Sequence, residues 1–386
     1  RRHRTHIDGP LLTLFMALRQ EEGWHAAQAA TFGPRRWSEL QVALERDHEH
    51  LCFVNKFIPV AEQEVIHQDY RLVPTSIPGA FEFELPDDPS LQFPVVDACD
   101  ERHIYVDCVR PQRHEAEVLG ASPGEELAPF LLSEGSALIV ARALQVEEGD
   151  NVLDASATAA TSFALAAGLF SARCPRGHAL PQNLQGRLVC NDVVKGRAKR
   201  MQQILRTLLP WRLFDPKESL AGHGPRVVLT SVDLGTTSNA AEKLAPYSKI
   251  LLGVPCTDDK AMFRGSHPGG LARWSGSTPK VSAERQLKLL HNSLWLLREG
   301  GVVLYFNTAL APEEGDGVIE RLFKRVQGVF DLQVEPLEEL ISSLVPGLAS
   351  EPTDWGTRVL PDRTSFGPLF FSRIRLLRRS HQGYLP

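Results

Sequence analysis

Five short apolar runs between residues 151 and 305 are each followed by residues that could do chemistry. The first run ends at Asp154, and the next two lead to Asp192 and Asp233. The fourth ends in the turn Val254-Pro255-Cys256, and the fifth leads to Thr308. Carboxylates at strand ends accept hydrogen bonds from ribose hydroxyls, and a thiol on a tight turn can act on a nucleobase. The pattern favours a nucleotide-like cofactor bound beside a base.

Each of these residues also has a structural interpretation. An Asp that directly follows a strand is commonly a helix cap, and a Cys such as Cys256 is commonly buried for packing alone. The occurrence of Asp192 and Asp233 at successive strand ends favours a ligand. The loop of residues 155–163 contains no glycine, although close approach of backbone N–H groups to a cofactor normally needs one. We therefore expect weak cofactor binding at best.

The elements that must position these residues alternate between strand-like and helix-like segments. Helical spacing covers residues 199–209 and 282–297, and the apolar runs are 151–154, 187–190, 227–230, 250–253 and 301–305. Such alternation is typical of parallel strands joined by crossover helices. We predict an α/β fold with a doubly wound, mostly parallel, Rossmann-like sheet in residues 131–386, with ligands beyond the carboxyl ends of its strands.

Residues 1–130 are predicted to form a mainly helical N-terminal and connecting region. Apolar residues recur at helical spacing in residues 11–30 and again from Trp37 to Phe57. Prolines and acidic residues punctuate residues 74–94, and residues 104–109 are predicted to form a short strand. The opening Arg-Arg-His-Arg is typical of the remains of an organellar transit peptide.

The composition excludes several classes of protein. No apolar run reaches the roughly 20 residues that span a bilayer, so no membrane association is predicted. The net charge of −5, from 42 basic and 47 acidic residues, opposes coating of nucleic acid by the whole surface. Any RNA site must therefore be a local cluster of cationic residues. The alternative is that these residues only lie on solvent-exposed faces of helices and at a strand end. The first candidates are Lys195, Arg197, Lys199, Arg200 and Arg264, followed by Lys280, Arg285, Arg373, Arg375, Arg378 and Arg379.

The six cysteines are scattered without a regular framework, which favours a reducing compartment over secretion. Cys174, His178 and Cys190 could be imagined around a metal, but their spacing matches no standard zinc pattern. No metal site is predicted.

Four ordered motifs extend over most of the chain. They are Phe32-Gly33 with Trp37, Val254-Pro255-Cys256-Thr257, Tyr305 followed by Leu310 and Pro312-Glu313-Glu314, and Phe366-Gly367-Pro368-Leu369-Phe370-Phe371. Together they resemble the Sun-domain family of RNA 5-methylcytosine methyltransferases, and most of all its mitochondrial ribosomal-RNA member. The resemblance implies S-adenosylmethionine as the cofactor, with Asp154, Asp192 and Asp233 facing it.

The same resemblance shows where the family pattern breaks. The family's Asp-x-Cys-Ala-Ala-Pro-Gly-Gly-Lys keeps its Asp here, but residues 159–162 read Ala-Ala-Thr-Ser. Thr308 replaces the nucleophilic Cys of Tyr-Ser-Thr-Cys-Ser, and a hydroxyl is a far weaker nucleophile than a thiol. Gly253 replaces the Asp that holds the cytosine edge, whereas Cys256 matches the Cys that helps product release. Three parts of one mechanism are altered together.

The resemblance implies a pseudo-methyltransferase that binds RNA and protein as a scaffold in assembly of the mitochondrial ribosome, in the matrix. The expected partners are ribosomal RNA, ribosome precursors and a helical-repeat protein of the mitochondrial transcription-termination-factor family. The alternative is an active ribosomal-RNA cytosine methyltransferase that uses Cys256 as nucleophile, as DNA cytosine methyltransferases do from a Pro-Cys turn. A nucleotide-binding oxidoreductase is disfavoured, because no Gly-x-Gly-x-x-Gly follows the first strand.

Overall fold

The structure is a computed structural model that describes residues 9–46, 50–83, 127–170, 184–215, 224–236 and 244–380. Helices and strands are numbered here in chain order among those residues. The strand predicted at residues 104–109 lies outside them.

The N-terminal region combines a helical hairpin with a small antiparallel sheet. The strand order of this sheet is β2-β3-β1-β4. Its last strand crosses residue 130, where the boundary between the two regions was predicted, so that boundary stays a prediction. The elements are α1 Gly9–Phe32, α2 Pro34–Leu44, β1 His50–Val54, α3 Val60–Asp69, β2 Leu72–Pro74, β3 Ala80–Phe83 and β4 Phe130–Glu134.

The helical prediction from Trp37 to Phe57 is right in its first half and wrong in its second. The helix ends at Leu44, and His50–Val54 form a strand. Four of the five residues of this strand are buried, and it pairs with a neighbour on each edge. An uninterrupted apolar run of this length fits a strand covered on both faces, and apolar periodicity alone does not separate that case from a buried helix.

Among the described residues the large sheet has nine strands, and five of them, in the order β9-β8-β5-β6-β7, are parallel and reach one edge of the sheet at β7. All five predicted runs lie in these strands, which confirms the doubly wound fold. Antiparallel strands extend the sheet beyond β9. The strands are β5 Asn151–Asp154, β6 Arg187–Asn191, β7 Val227–Thr230, β8 Tyr247–Gly253, β9 Leu297–Asn307, β10 Phe330–Glu335, β11 Glu351–Pro352, β12 Thr357–Val359 and β13 Leu369–Arg379.

Helices cover both faces of this sheet, so it has a separate apolar core on each face. Helices α4, α5 and α6 contribute to one core and α8 and α9 to the other. Both predicted helices, 199–209 and 282–297, begin about one turn earlier than predicted. The helices are α4 Gly135–Ala143, α5 Ala159–Phe170, α6 Lys195–Leu208, α7 Asp259–Phe263, α8 Thr278–Leu296, α9 Asp316–Val326 and α10 Glu338–Leu344.

The strand order reverses between β5 and β8, which are neighbours in the sheet but not in sequence. A crevice forms at such a switch point because the two crossover helices leave on opposite faces. The N-terminal hairpin closes one side of this region through an aromatic cluster that joins Trp24 and Trp37 to Trp274 and Leu310. No helix in the described part of the chain has the length and apolarity needed to cross a bilayer.

Candidate functional site

A cavity of about 830 Å³ lies beyond the carboxyl ends of the parallel strands. One side, here called the β5–β6 wall, consists of residues 155–161 after β5 and 191–201 after β6. The other side, the β8–β9 wall, consists of the turn at 255–259 and residues 306–314. The predicted site residues Asp192, Asp233 and Thr308 line the cavity, whereas Asp154 and Cys256 are not among the described residues that do.

Asp154 is completely enclosed beneath the β5–β6 wall. Its Oδ2 accepts hydrogen bonds from Thr161 Oγ1 at 2.7 Å and from Ser162 Oγ at 2.9 Å. Burial raises the pKa of this carboxyl to about 7, against the opposing effect of the two hydroxyl donors. Thr161 and Ser162 stand where the Sun-domain motif has glycine and lysine, so the motif's first carboxylate is held by its own loop.

The loop after β5 closes on itself through a reciprocal helix cap. Thr158 Oγ1 accepts from the backbone N–H of Thr161, and Thr161 Oγ1 accepts from the N–H of Thr158, both at 3.1 Å. This is the arrangement of a capping box, with Thr161 in place of the usual Glu or Gln. Two of the backbone donors at this helix N-terminus, those of Thr158 and Thr161, are thereby satisfied within the chain.

Asp192 is held by an arginine one turn into the next helix. Its carboxylate receives Arg197 Nε at 2.7 Å and the second guanidinium nitrogen at 3.0 Å, and Val194 N–H at 2.8 Å. A two-pronged pair of this kind is among the stronger side-chain contacts, and it raises the pKa of Arg197 further. The carboxylate expected to face a ribose is engaged with a cation of its own chain.

Asp233 and Asn191 complete the β5–β6 side of the cavity. Asp233 is exposed and accepts from Gly235 N–H at 2.8 Å, which is a local turn. The Asn191 side chain is buried and bonds to the carbonyls of Ala155 and Val232 and to the Val232 N–H. Asn191 therefore ties three strand ends together, and Asp233 remains the predicted carboxylate with the most solvent access.

Gly253 and Phe306 are complementary in shape at the ends of β8 and β9. A Cβ atom at position 253 would lie 2.6 Å from Phe306 Cζ and 3.0 Å from its Cε1, far inside van der Waals contact. The ring of Phe306 faces the cavity and takes the space that a side chain at 253 would need. A carboxylate could be placed at 253 only if this ring moved.

Cys256 lies behind the cavity surface, beside Thr308, which lines the cavity. Cys256 Sγ is 3.3 Å from Thr308 Oγ1, which is the only side-chain hydrogen bond that Thr308 makes among the described residues. Burial raises the pKa of the Cys256 thiol to about 12. The thiol is therefore protonated at neutral pH, and neither group is an activated nucleophile.

A buried polar network supports the β8–β9 wall from behind. Glu314 Oε2 accepts from Thr257 N–H at 2.9 Å and from Gln286 Nε2 at 2.7 Å. The Glu314 carbonyl accepts from Tyr305 Oη at 2.6 Å and from Asn307 Nδ2 at 2.8 Å. Burial raises the pKa of the Glu314 carboxyl. The network joins the turn after β8, the end of β9 and helix α8.

Asp259 connects the same wall to the N-terminal hairpin. Its Oδ1 accepts from Trp24 Nε1 at 2.7 Å, and its Oδ2 accepts from Leu310 N–H at 2.7 Å. The side chain is fully enclosed, and burial raises its pKa to about 7. One carboxylate thus holds together three segments that are distant in sequence.

The predicted RNA contacts are distributed over separate surfaces. Lys195, Lys199 and Arg200 lie on α6, whereas Arg264 follows α7 and donates to the Arg46 carbonyl at 2.9 Å. Arg197 is bonded to Asp192. The C-terminal arginines are engaged in contacts within the domain. Arg373 and Arg375 form ion pairs with Glu335, and Arg378 forms one with Asp331. Arg379 donates hydrogen bonds to carbonyls at the end of α8.

The imagined metal cluster gains no support. Cys174 and His178 lie outside the described residues, and Cys190 is buried in the core. Among the residues that are described, no group of three or more His, Cys, Asp or Glu side chains could hold a metal ion.

Comparison with known proteins identifies the family. Residues 141–375, more than half of the chain, match the family described as 16S rRNA methyltransferase RsmB/F. The chain therefore belongs to this family of RNA methyltransferases, to which the Sun-domain resemblance pointed.

Individual relatives are distant and longer than the matched segment. The chain is 25% identical over 286 residues to the 5-cytosine rRNA methyltransferase nsun-4 of Caenorhabditis elegans, covering 72% of this chain and 54% of that protein. It is 25% identical over 255 residues to NSUN4 of Mus musculus, covering 65% and 61%. A mouse mitochondrial tRNA (cytosine(34)-C(5))-methyltransferase is 22% identical over 263 residues, covering 67% of each. The chain spans between about half and two thirds of these proteins.

Solved structures confirm the fold over nearly the whole chain. A methyltransferase homologue from Pyrococcus horikoshii superposes with a TM-score of 0.60 at 18% identity, covering 95% of this chain and 99% of that one. NSun6 from the same organism, solved with SFG, gives a TM-score of 0.58 at 16% identity, covering 92% and 97%. At this level of identity the likeness concerns the fold.

Sequence reasoning missed several residues that shape the site. Phe306, Arg197 as the partner of Asp192, and Asp259 were not recognised. The lack of a side chain at Gly253 was a signal for a bulky neighbour, but only the fold shows which one. The Pro312-Glu313-Glu314 motif was noticed without its role, because Thr257 and Gln286 are distant from it in sequence.

Proposed function

We propose that this chain is a catalytically inactive relative of the RNA cytosine-5 methyltransferases that serves as an RNA- and protein-binding scaffold. Methyl transfer in this fold uses S-adenosylmethionine as the methyl donor. The residues present fit that cofactor poorly, because Asp154 and Asp192, two of the three carboxylates expected to hold it, are bonded to side chains of this chain. The sheet, its two cores and the cavity are formed, so the fold that would carry such a scaffold is kept.

The observation that carries the proposal is the engagement of Asp192. A ribose would have to compete with Arg197, which contacts both carboxylate oxygens at 2.7 and 3.0 Å. Exchanging a charge-assisted, two-pronged donor for neutral hydroxyls is unfavourable, by an amount that the 62% exposure of the Arg197 side chain keeps small. The Thr158–Thr161 cap and the absence of glycine in residues 155–163 act in the same direction.

The β8–β9 wall supports the same proposal from the substrate side. By resemblance, a base would need a carboxylate at position 253 and a thiol at position 308. The first position is a glycine covered by Phe306, and the second is a threonine bonded to Cys256. A cytosine entering from the cavity would meet the Phe306 ring first.

Mitochondrial ribosome assembly is the setting we propose. The names of the relatives support ribosomal RNA as the partner and a mitochondrial location. By resemblance to the mitochondrial member, we propose the matrix as the compartment, a ribosome precursor as the binding target, and a helical-repeat protein of the mitochondrial transcription-termination-factor family as a partner. The chain's net charge of −5 fits a local RNA surface.

Titration calorimetry of the purified chain with S-adenosylmethionine and S-adenosylhomocysteine tests the loss of the cofactor site. We expect no heat up to about millimolar ligand, which corresponds to binding weaker than about −4 kcal/mol. Measurement at two temperatures guards against a binding enthalpy near zero. Micromolar affinity that is lost in an Asp192→Ala variant would overturn the proposal.

The live-enzyme alternative is tested with RNA that contains 5-fluorocytidine in the presence of S-adenosylmethionine, because the fluorine at carbon 5 blocks release of the thiol once a methyl group has been transferred there. Attack by Cys256 would trap a covalent adduct that disappears in Cys256→Ala and persists in Thr308→Ala. We expect no adduct with either variant or with the native chain.

The scaffold role is tested separately, by purification of the native chain from mitochondrial extract. We expect ribosomal RNA to be recovered with it, and its absence would contradict the scaffold role.

A further inference from the structure

Residues 193–214 form the most strongly basic segment near the cavity. They contain six basic residues and no acidic one, although the whole chain has an excess of acidic residues. The segment comprises helix α6 and the short 3₁₀ helix Trp211–Phe214. The basic residues are Lys195, Arg197, Lys199, Arg200, Arg206 and Arg212.

Helix α6 separates its apolar and basic residues onto two faces. One face buries Ala198, Met201, Leu205 and Leu208 in the core. The other exposes Lys195, Lys199 and Arg206. No carboxylate in the described residues lies within ion-pair distance of these three cations. The row spans about 16 Å along the helix at 1.5 Å per residue, a length that several nucleotides of an extended strand would cover.

An exposed aromatic ring continues this row beyond the end of α6. Trp211 is 46% exposed, which is high for a side chain whose burial is normally favourable. The Arg212 guanidinium lies 5.3 Å from its ring centroid, and Arg206 lies 5.6 Å from the ring of Phe214. The 3₁₀ helix is thereby held against the last turns of α6, so Trp211 adjoins the basic row.

Helix α6 is anchored at its C-terminal end, and residues at its other end line the cavity. Asn55 Nδ2 donates to the carbonyls of Leu208 and Ala128, each at 2.8 Å, which fixes the end of α6 to the small N-terminal sheet. At the start of α6, Val193 and Arg197 line the cavity mouth. The residues of α6 that line the cavity and the basic row are on different faces of the helix, so the proposed surface is separate from the cavity.

We propose that the exposed face of α6 together with Trp211 binds single-stranded RNA. Lys195, Lys199 and Arg206 contact successive phosphates, and one base stacks on Trp211. Cations in a row with an adjacent aromatic platform are the pattern by which proteins hold single strands. Arg197 takes no part, because it holds Asp192. This inference rests on the proposed scaffold function and assigns its RNA surface.

The test is fluorescence anisotropy with the full chain and a labelled 12-nucleotide single-stranded RNA of mixed sequence, over a series of salt concentrations. The charge variant is Lys195→Gln/Lys199→Gln/Arg206→Gln. Its matched control is Lys288→Gln/Arg298→Gln/Arg325→Gln, which removes three exposed charges from the side of the sheet covered by α8 and α9. Urea unfolding of each variant verifies that it is folded.

We expect the charge variant to bind about tenfold more weakly or worse, and the control to change less than twofold. The slope of log affinity against log salt should fall in magnitude by about 2, at about 0.7 per phosphate contact. Trp211→Ala should weaken single-strand binding about tenfold and leave binding of the matching duplex unchanged. Trp211→Phe should keep most of the affinity.

Equal weakening by the charge variant and its control would overturn the assignment, and so would single-strand binding that is indifferent to Trp211→Ala. If the native chain still binds RNA, either of these two results contradicts only the assigned surface and not the proposed scaffold function. A native chain that binds neither single-stranded nor duplex RNA would overturn both proposals. Loss of binding to phosphatidylserine vesicles, but not to RNA, in the charge variant would assign this face to a membrane instead.

Discussion

The two walls of the cavity differ in how they use their polar side chains. In the β5–β6 wall, Asp154 and Asp192 are bonded to residues of their own loop or the adjoining helix, within eight positions in sequence. In the β8–β9 wall, the carboxylates of Glu314 and Asp259 bond to segments that are 28 to 235 positions away. The carboxylates of the first wall have local partners, whereas those of the second hold distant segments together.

This difference indicates which side chains could change without loss of the fold. A carboxylate whose partners are local can exchange a ligand for a neighbouring hydroxyl or guanidinium at little cost to stability. A buried carboxylate that joins distant segments cannot be removed without leaving donors unsatisfied. The chemistry of the cavity can therefore be lost while its β8–β9 wall remains intact.

The largest expected effect concerns pH and Asp154. Because its folded pKa is raised from 3.8 to about 7, the folded state keeps a proton that the unfolded state releases above pH about 4. Stability should therefore fall as pH rises from about 4 to 7 and level off above that. The Asp154→Asn variant has no carboxyl group to ionise at this position, so it does not lose this stability. Its free energy of unfolding should match that of the native chain near pH 4 and exceed it by up to about 4 kcal/mol at pH 8.

Urea unfolding at intervals from pH 4 to pH 8 measures this effect. The exposed Asp233→Asn variant controls for removal of one negative charge. If the stability of Asp154→Asn depends on pH in the same way as that of the native chain, Asp154 does not keep its proton in the folded state. The conclusion that this carboxyl is enclosed by its own loop would then be wrong.

Removal of Asp259 tests the long-range role of the β8–β9 wall. Asp259→Ala leaves Trp24 Nε1 and the Leu310 N–H without partners in a buried site, at about 1–3 kcal/mol for each donor. We expect a loss of about 3 kcal/mol in the free energy of unfolding near pH 6. Asp233→Ala should change it by less than about 0.5 kcal/mol. Similar values for the two variants would remove the contrast between the walls.

A smaller effect is expected from the helix cap in the β5–β6 wall. Thr158→Ala removes the hydroxyl that accepts from the Thr161 N–H, which should cost about 1 kcal/mol. Thr236→Ala, at an exposed turn, should be close to neutral. Thermal unfolding of both variants makes the comparison, and a neutral Thr158→Ala would indicate that the capping box does not hold this loop.

The smallest expected effect on stability is that of Arg197→Gln. The Arg197 side chain is 62% exposed, and exposed pairs contribute about 0–1 kcal/mol. The variant frees the Asp192 carboxylate, so calorimetry with S-adenosylhomocysteine shows whether that pair alone blocks the cofactor. We expect no binding even here, because the capped loop remains. Micromolar binding would identify Arg197 as the sole obstacle.

Much of the fold could be predicted from the sequence, since it depends on local patterns. Apolar runs such as 250–253 and helical spacing between them predicted the doubly wound sheet, and strand ends predicted where Asp192 and Thr308 would lie. The prediction failed at His50–Val54, where a strand buried on both faces has no alternation to distinguish it from a helix.

The sequence by itself therefore determined the sheet, its family and the absence of two glycines, a lysine, an aspartate and a cysteine from the family's motif positions. Only the tertiary structure decided what took their place: Arg197 on Asp192, the Phe306 ring over Gly253, and Cys256 against Thr308. The physical reason is the sequence separation of the interacting residues. Strands and helices depend on patterns among neighbouring residues, whereas the partner of a buried polar or bulky group depends on which distant segments the fold brings within a few ångströms.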